Sequence, residues 1–162
     1  MGKSTLIPHL KELLPNEAYD IRDFDERGVP DGADSNWRKS EQGYWLSEGR
    51  RLSEDKKELI VCGFVKATDF EDLGNVKIIV LDADPEIIRK RLVGRYTKDG
   101  IFDESQKVIG KPVNEFIEGN VWYAKKMKEE CEALGFKIIN TSDISPEQVA
   151  EEVVKTIQSR EV

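Results

Sequence analysis

Four consecutive residues near the start of the chain, Gly2, Lys3, Ser4 and Thr5, match the second half of the phosphate-binding pattern G-x-x-x-x-G-K-[ST]. In that pattern, backbone N–H groups at a helix start bind phosphate oxygens, the lysine reaches the β- and γ-phosphates, and the next hydroxyl binds Mg²⁺. An apolar helix is predicted directly afterwards, over Ser4–Leu14. We therefore predict that these four residues bind nucleotide phosphates and that Ser4 is a magnesium ligand. The alternative is a simple helix cap.

The first half of this pattern, a buried strand followed by a glycine, does not precede Gly2 in the sequence, where only Met1 stands. We expect either that the natural chain starts further upstream or that this chain is a fragment with impaired ATP binding. In the second case, half of the backbone cradle for the phosphates is lost.

Two carboxylates at alternate positions, Asp23 and Asp25, follow a short predicted strand, Ala18–Asp23. Alternate residues of an extended segment point the same way, so both carboxylates can face one pocket. Beside Mg²⁺, one acid can hold a metal-bound water, and the other can accept a proton from an attacking hydroxyl. We predict Asp23 as a metal and substrate ligand, Asp25 as a catalytic and substrate-binding group, and Arg27 as a substrate contact. The alternative is a solvated acidic turn, which the nearby Gly28 would suit.

A second group of candidate residues consists of three arginines on a later predicted helix, Arg89, Arg91 and Arg95. Arg91 and Arg95 lie four residues apart and share a helix face, and a stretch without a clear period follows them. Phosphoryl transfer spreads negative charge over the transferring group, which arginines on a lid can neutralise while the lid excludes water. We predict Arg91 and Arg95 as catalytic and residues 95–113 as a lid. The alternative is a solvated, charged helix face.

Two further basic residues are predicted to contact a phosphoryl acceptor. Arg38 lies near the start of a helix predicted from Asp34, and Lys66 follows the apolar run LIVCGF. At its position, Arg38 could bind an anionic or hydroxylated acceptor, and Lys66 lies just after a predicted strand, at the edge where ligands bind in parallel sheets. On the same helix, Trp37 and Trp45 are eight residues apart, close to one face, and are predicted to pack into the core.

The composition of the chain excludes several classes of protein. Its 162 residues are enough for one domain that buries roughly two-thirds of its unfolded surface. The net charge of −7 argues against general nucleic-acid binding, and no apolar run approaches the roughly 20 residues of a membrane span. Cys62 and Cys131 lie far apart, which predicts two reduced thiols. We expect a soluble cytoplasmic domain with a small-molecule partner and neither a nucleic-acid nor a membrane partner; the sequence leaves its oligomeric state open.

Predicted helices and strands alternate along the chain, which indicates an α/β fold with a parallel sheet covered on both faces. The predicted strands are Ala18–Asp23, Leu59–Phe64, Val76–Leu81 and Phe136–Asn140. Helices are predicted to start near Ser4, at Asp34 or Ser35, and near Asp84, Asn114 and Ser145. The last of these starts has the form of a capping box, Ser-Pro-Glu-Gln. In such sheets, ligands bind beyond the carboxyl ends of the strands, which is where the candidate residues are expected.

Taken together, the chain resembles P-loop kinases of the adenylate-kinase-like class, which include shikimate, gluconate and nucleoside monophosphate kinases. GKST matches the end of the family's phosphate loop, DFD resembles the D-x-D of shikimate kinases, and VCGFVK resembles a segment of gluconate and adenylate kinases. RKRLVGRY resembles the family's arginine-bearing helix, and INTSDISPEQVAEEV resembles its last strand, adenine-side loop and terminal helix. The resemblance implies one P-loop NTPase domain over residues 1–162, with strand order 2-3-1-4-5 and its first, central strand missing from this sequence.

The resemblance also implies a function for the candidate residues. It implies ATP and Mg²⁺ as cofactors, with phosphates held by Lys3 and a further ATP contact from Asp143. It places Asp25 on the acceptor hydroxyl and Arg91 or Arg95 on the transferring phosphoryl group. The expected activity is transfer of the γ-phosphate of Mg-ATP to a hydroxyl or phosphate of a small metabolite or nucleotide. The alternatives are a nucleotide-binding module without turnover and a nonspecific ATPase.

Overall fold

The computed structural model describes residues 3–64, 66, 74–98, 101–102 and 112–159 of the chain. The helices in these ranges are α1 (Lys3–Leu13), α2 (Ser35–Glu54), α3 (Pro85–Tyr96), α4 (Val113–Ala133) and α5 (Pro146–Gln158). The strands are β1 (Tyr19–Asp23), β2 (Glu58–Cys62), β3 (Ile79–Asp82), β4 (Thr97–Lys98), β5 (Ile101–Phe102) and β6 (Lys137–Asn140). None of these helices has the combination of length and apolar composition that crossing a bilayer requires.

Contacts within the chain group its residues into two compact units. Unit 1 contains Met1–Phe70 and Ile144–Val162, and unit 2 contains Glu71–Asp143. The helices nearest the two chain ends, α1 and α5, therefore both belong to unit 1.

Unit 1 is built on a parallel strand pair. β1 and β2 run side by side, with Tyr19 opposite Glu58 and Asp23 opposite Cys62. α1 packs against β1 and α5, and α2 packs against β2. The buried apolar residues of this unit are Leu6, Leu10, Leu14, Ile21, Phe24, Trp45, Leu52, Val149, Ala150 and Val153. Because the strands are parallel, the segments that follow them leave the sheet at the same edge.

The starts of α2 and α5 are fixed by the capping residues that the sequence predicted. The carboxylate of Asp34 accepts hydrogen bonds from the N–H groups of Asn36 and Trp37, in the first turn that a helix leaves without internal acceptors. At α5, the Ser145 hydroxyl accepts from the Gln148 N–H, and the Gln148 side chain accepts from the Ser145 N–H. Both predictions are confirmed, because these interactions are local in sequence.

Unit 2 contains a second parallel strand pair. β3 and β6 run side by side, with Ile79 opposite Lys137 and Asp82 opposite Asn140. α3 packs against α4, and α4 also contacts both strands. The core cluster of this unit consists of Ala83, Ile88, Leu92, Ile117 and Val121. Its α4 members lie four residues apart, as the apolar period of the sequence predicted for this helix.

Two boundaries that the sequence predicted in unit 2 are wrong. β3 begins at Ile79 rather than Val76, because the facing strand β6 begins opposite Ile79 and offers no earlier ladder partner. α4 begins at Val113 with Pro112 at the capping position, instead of being capped by Asn114. Proline suits a helix start, because its φ is already helical and the N–H that it lacks would have no partner there.

The fold class is mixed α/β with parallel strands. The described strands form two parallel pairs and one short antiparallel pair, β4–β5. β4 and β5 lie in the segment predicted as a lid, residues 95–113. The remainder of that prediction, at residues 99–100 and 103–111, lies outside the described residues.

Candidate functional site

The acidic loop, residues Asp23–Gly28, follows β1 and is held in tight turns by its own groups. The Glu26 N–H donates to the Asp23 carbonyl at 3.1 Å, and the Gly28 N–H donates to the Asp25 carbonyl at 3.0 Å. A carboxylate oxygen of Asp23 accepts from the Asp25 N–H at 2.9 Å, the Asx turn that aspartate favours. Gly28 has a φ of 94°, which glycine adopts without strain. The shape of the loop therefore follows from the sequence DFDERG.

Phe24 fixes the acidic loop to both β2 and α2. Its N–H donates to the Cys62 carbonyl at 2.9 Å, and its carbonyl accepts from Nε1 of the buried Trp45 at 3.1 Å. Its buried ring meets the Trp37 ring edge-on, with the two centroids 6.3 Å apart. Gly63 leaves room for this packing, because a Cβ at Gly63 would overlap the Phe24 side chain. The prediction that Trp45 packs into the core is confirmed.

Arg27, predicted as a substrate contact, is paired within unit 1. Its Nη1 donates to both carboxylate oxygens of Glu41, at 3.2 and 3.3 Å, and its guanidinium carbon lies 3.6 Å from the centroid of the Tyr44 ring. The Glu41 side chain is 9% exposed and that of Arg27 is 46% exposed. Glu41 is not among the residues that the sequence predicted for the site. The available signal was its position four residues from Trp37 and four from Trp45, on the helix face that carries both indoles.

Arg38 and Lys66, predicted to contact an acceptor, lie near the end of β2. The Arg38 Nη1 donates to the Phe64 carbonyl at 3.3 Å, and the Arg38 guanidinium carbon lies 5.4 Å from the Phe64 ring and 5.8 Å from the Trp37 ring. Phe64 is 48% exposed, so this cation–aromatic group is open to solvent. Lys66 is also exposed. Arg38 and the acidic loop therefore share the edge at which β1 and β2 end.

The predicted phosphate-binding residues lie at the start of α1. Lys3 is the first helical residue, Ser4 and Thr5 follow in the first turn, and Gly2 lies outside the described residues. Residues 14–18 form a short connection from α1 to β1, and α1 packs against β1.

The predicted catalytic arginines lie on α3 in unit 2, and one of them has a structural contact. The Arg91 Nη1 and Nη2 donate to the hydroxyl and carbonyl oxygens of Thr141, at 3.0 and 2.7 Å. Thr141 is buried, and its hydroxyl also donates to the Asp82 carbonyl at 2.9 Å. Arg91 therefore fixes the segment that follows β6. Arg95 is exposed in the last turn of α3, and Asp143 is exposed just after Thr141.

A polar network joins the carboxyl ends of β3 and β6. Asn140 Nδ2 donates to the Asp84 carboxylate at 3.1 Å, the Asp84 N–H donates to the Ser142 hydroxyl, and the Ser142 N–H donates to the Asn140 side chain, both at 2.8 Å. Asp84 occupies the predicted capping position of α3, but its carboxylate binds Asn140 rather than the helix. Lys128 Nζ lies 3.2 Å from the Asp82 carboxylate, and this hydrogen bond raises the pKa of Lys128.

Magnesium was predicted at Ser4 and Asp23, and the acidic loop has the donor chemistry for it. Carboxylate oxygens are the ligands that Mg²⁺ prefers, and the bond from the Asp25 N–H orients the carboxylate of Asp23. Among the described residues, no three side chains of His, Cys, Asp or Glu converge as a metal site. Mg²⁺ is commonly held by one or two protein carboxylates together with phosphates and water, so the residues present fit such an ion.

Comparison of the chain with models of known protein families and with curated proteins finds no match. The function therefore has to be inferred from the side chains themselves. In unit 1 these are the start of α1, the acidic loop and Arg38; in unit 2 they are the arginines of α3.

Proposed function

We propose that the chain is a Mg-ATP-dependent phosphotransferase that moves the γ-phosphate to a hydroxyl or phosphate of a small metabolite or nucleotide. One observation carries this proposal: Lys3, Ser4 and Thr5 open α1, and α1 packs against β1, the strand that Asp23 ends and Asp25 follows. A helix start that suits phosphate and a pair of carboxylates are two parts that phosphoryl transfer uses.

We also propose that the two parallel strand pairs belong to a P-loop NTPase sheet of the kinase type. In the order 2-3-1-4-5, strand 1 is the central strand that is expected to be missing, so β1, β2, β3 and β6 of this chain correspond to strands 2, 3, 4 and 5. The pairing of β1 with β2 and of β3 with β6 supports this fold, because strands 2 and 3, and strands 4 and 5, are neighbours in that order. β2 and β3 are largely apolar and half-buried, which suits strands that a parallel sheet covers on both faces.

In this proposal, the start of α1 holds the nucleotide. Gly2, Lys3 and Thr5 bind phosphate oxygens, and Ser4 binds Mg²⁺ together with Asp23. Lysine and backbone N–H groups supply positive charge where the β- and γ-phosphates lie. Mg²⁺ supplies further neutralisation of the phosphates when it is bound.

The acceptor side is formed by the acidic loop and its neighbours. Asp25 accepts the proton of the attacking hydroxyl, and Arg38 and Lys66 bind the acceptor. Because both terminal nitrogens of Arg91 are bonded to Thr141, we assign neutralisation of the transferring group to the exposed Arg95.

The setting of the reaction follows from composition. Cys62 and Cys131 are both thiols, which supports a reducing compartment, and we propose the cytoplasm. We propose a small-molecule acceptor as the partner. The net charge of −7 argues against a nucleic-acid partner, because nucleic-acid binding depends on positive charge. On the adenine side of the nucleotide, we propose a contact from Asp143.

ADP release from Mg-ATP tests the proposal, with nucleoside monophosphates, nucleosides and sugar acids as acceptors. We expect release that depends on one acceptor class, and a loss of roughly 100-fold or more in Asp25→Asn, the range for a removed general base. Asp31→Asn is the matched control, because Asp31 is an exposed acid a few residues further along the same connection. ADP release that is equally fast without acceptor, or absent with every acceptor, contradicts the proposal.

A nucleotide-binding module without turnover is the second candidate. The internal pairing of Arg27 with Glu41 and of Arg91 with Thr141 favours it, because both cations are already used within the fold. This candidate predicts that Mg-ATP raises the melting temperature while no acceptor gives ADP release.

A further inference from the structure

We propose that Glu41 is a positioning residue for the acidic loop and acts on Asp25 through Arg27. The kinetic part of this inference rests on the proposed role of Asp25 in phosphoryl transfer. Its structural part rests on contacts within unit 1 alone.

Asp25 lies between two attachments of the loop to α2. On one side, the Phe24 carbonyl accepts from Trp45 Nε1 at 3.1 Å. On the other side, Arg27 Nη1 donates to both oxygens of Glu41 at 3.2 and 3.3 Å. Trp45 and Glu41 are one helical turn apart on α2. One face of this helix therefore binds the backbone carbonyl of Phe24, just before the predicted catalytic Asp25, and the side chain of Arg27, two residues after it.

The pair of Arg27 and Glu41 has the properties of a latch rather than of an anion site. The Glu41 side chain is only 9% exposed, and a carboxylate removed from water is stable when a cation and hydrogen bonds compensate it. The charge of Arg27 is thereby used within the protein. Stacking on the Tyr44 ring, at 3.6 Å, restricts the guanidinium plane to one orientation.

A fixed loop matters for phosphoryl transfer because reaction rates depend steeply on position. Misplacement of a reacting group by about 1 Å can cost roughly 100-fold in rate. The turns inside the loop set its shape, and the two attachments to α2 set where that shape is held. Loss of the Glu41 charge would release one attachment and leave the other, so Asp25 would move without unfolding of unit 1.

Amide hydrogen exchange of the full chain tests the latch directly. Glu41→Gln keeps the size of the side chain and removes its charge. We expect exchange about tenfold faster or more at residues 24–28, with unchanged exchange in α1 and in unit 2. Glu48→Gln is the matched control, because Glu48 is also on α2 but pairs at 3.0 Å with an arginine of the same helix, Arg51, rather than with a residue of the loop.

Two results overturn the latch: unchanged exchange at residues 24–28 in Glu41→Gln, or faster exchange throughout unit 1, which would make Glu41 a stability residue only. Arg27→Met is expected to reproduce the effect of Glu41→Gln. Arg27→Lys, which keeps the charge, is expected to restore part of the protection. If Arg27→Lys and Arg27→Met exchange alike, the charge pair does not hold the loop.

Kinetics test the positioning role with the acceptor that gives ADP release in the wild-type chain. We expect kcat to fall roughly 100-fold in Glu41→Gln while KM for ATP stays within about twofold. An unchanged kcat overturns the positioning role. If the wild-type chain releases ADP with none of the three acceptor classes, the phosphotransferase proposal fails, and the exchange result still decides whether Glu41 holds the loop.

Discussion

Phe24 shows how single residues fix the candidate site. Its N–H donates to the Cys62 carbonyl, its carbonyl accepts from Trp45, and its ring packs edge-on against the ring of Trp37. Because Asp25 is bonded directly to Phe24, these contacts also restrict the backbone position of Asp25. The position of the predicted catalytic carboxylate therefore depends on a neighbour that does no chemistry itself.

At the residue scale, we predict that Trp45→Phe destabilises the protein. The substitution keeps an aromatic ring but removes the Nε1–H donor, so the Phe24 carbonyl loses its partner. An unsatisfied buried acceptor costs about 1–3 kcal/mol in the free energy of unfolding. Urea denaturation followed by circular dichroism measures the loss. Trp122→Phe is the control, because Trp122 is 63% exposed and should change stability by less than about 0.5 kcal/mol. Equal effects of the two substitutions would contradict the prediction.

A second prediction at this scale concerns two glycines. A Cβ at Gly63 would overlap the Phe24 side chain, so Gly63→Ala should lower the free energy of unfolding by about 1–3 kcal/mol, as overpacking does. Gly43→Ala should raise it by about 0.5–1 kcal/mol, since Gly43 lies inside α2 with open space around it. The same urea experiment measures both. A neutral Gly63→Ala would show that the end of β2 adapts easily.

The sequence predicts the residues of this site better than it predicts their partners. Asp23 and Asp25 could be proposed as a pair because their spacing is local. The partner of Arg27 is 14 residues away and the partner of Arg91 is 50 residues away. Such contacts are formed by tertiary packing, which spacing along the chain does not encode. For that reason, the sequence alone predicts both arginines as available to ligands.

At the scale of elements, the starts of α2 and α5 and the apolar helix faces could be predicted, whereas the start of α4 and the first residue of β3 could not. The Asp34 cap, the Ser145 capping box and the buried face of α5 depend on residues within one or two turns. The first residue of β3 depends instead on where β6 begins, more than 50 residues later. Tertiary pairing therefore decides the strand limits.

Helices α3 and α4 are joined by an ion pair whose pH dependence can be predicted. Arg89 donates to the two carboxylate oxygens of Glu118 at 2.6 and 2.9 Å, and to Glu86 at 2.7 Å. The hydrogen bond from Arg89 lowers the pKa of Glu118 below its ordinary value. The folded state holds the proton of Glu118 less tightly than the unfolded state does. The pair therefore stabilises the fold at pH values above the ordinary pKa of glutamate. Its contribution is lost as the pH falls through the lowered pKa.

We therefore predict that Glu118→Gln lowers the urea midpoint at pH 7 by a small amount, as expected for an exposed pair. The difference from wild type should shrink as the pH falls below 4.5, the ordinary value for glutamate. Glu152→Gln is the control, since Glu152 lies 3.7 Å from Lys155 within one helix and joins no two elements. A difference that grows toward acid pH would contradict the assigned sign.

At the scale of the whole molecule, segments that are far apart in the sequence belong to the same compact unit. Unit 1 combines the first 70 residues with the last 19, because α5 returns to pack against α1. Local patterns predicted both helices, but no local pattern predicts that they meet. Each unit also contains one cysteine: Cys62 is half-buried in unit 1 and Cys131 is buried in unit 2.

The two cysteines can report separately on the units. Burial raises the pKa of the Cys131 thiol, so less of the reactive thiolate is present, and its side chain is almost inaccessible. In native buffer, we expect iodoacetamide to label Cys131 about ten times more slowly than Cys62, or slower still, as measured by peptide mass spectrometry. Leu10→Ala removes a fully buried side chain from unit 1, at a cost of about 2–5 kcal/mol, and should speed labelling of Cys62 while that of Cys131 is unchanged. Leu13→Ala, on the same helix but 46% exposed, should change neither rate. If Leu10→Ala accelerates both cysteines equally, the chain opens as a single cooperative body, and the division into two units has no energetic counterpart.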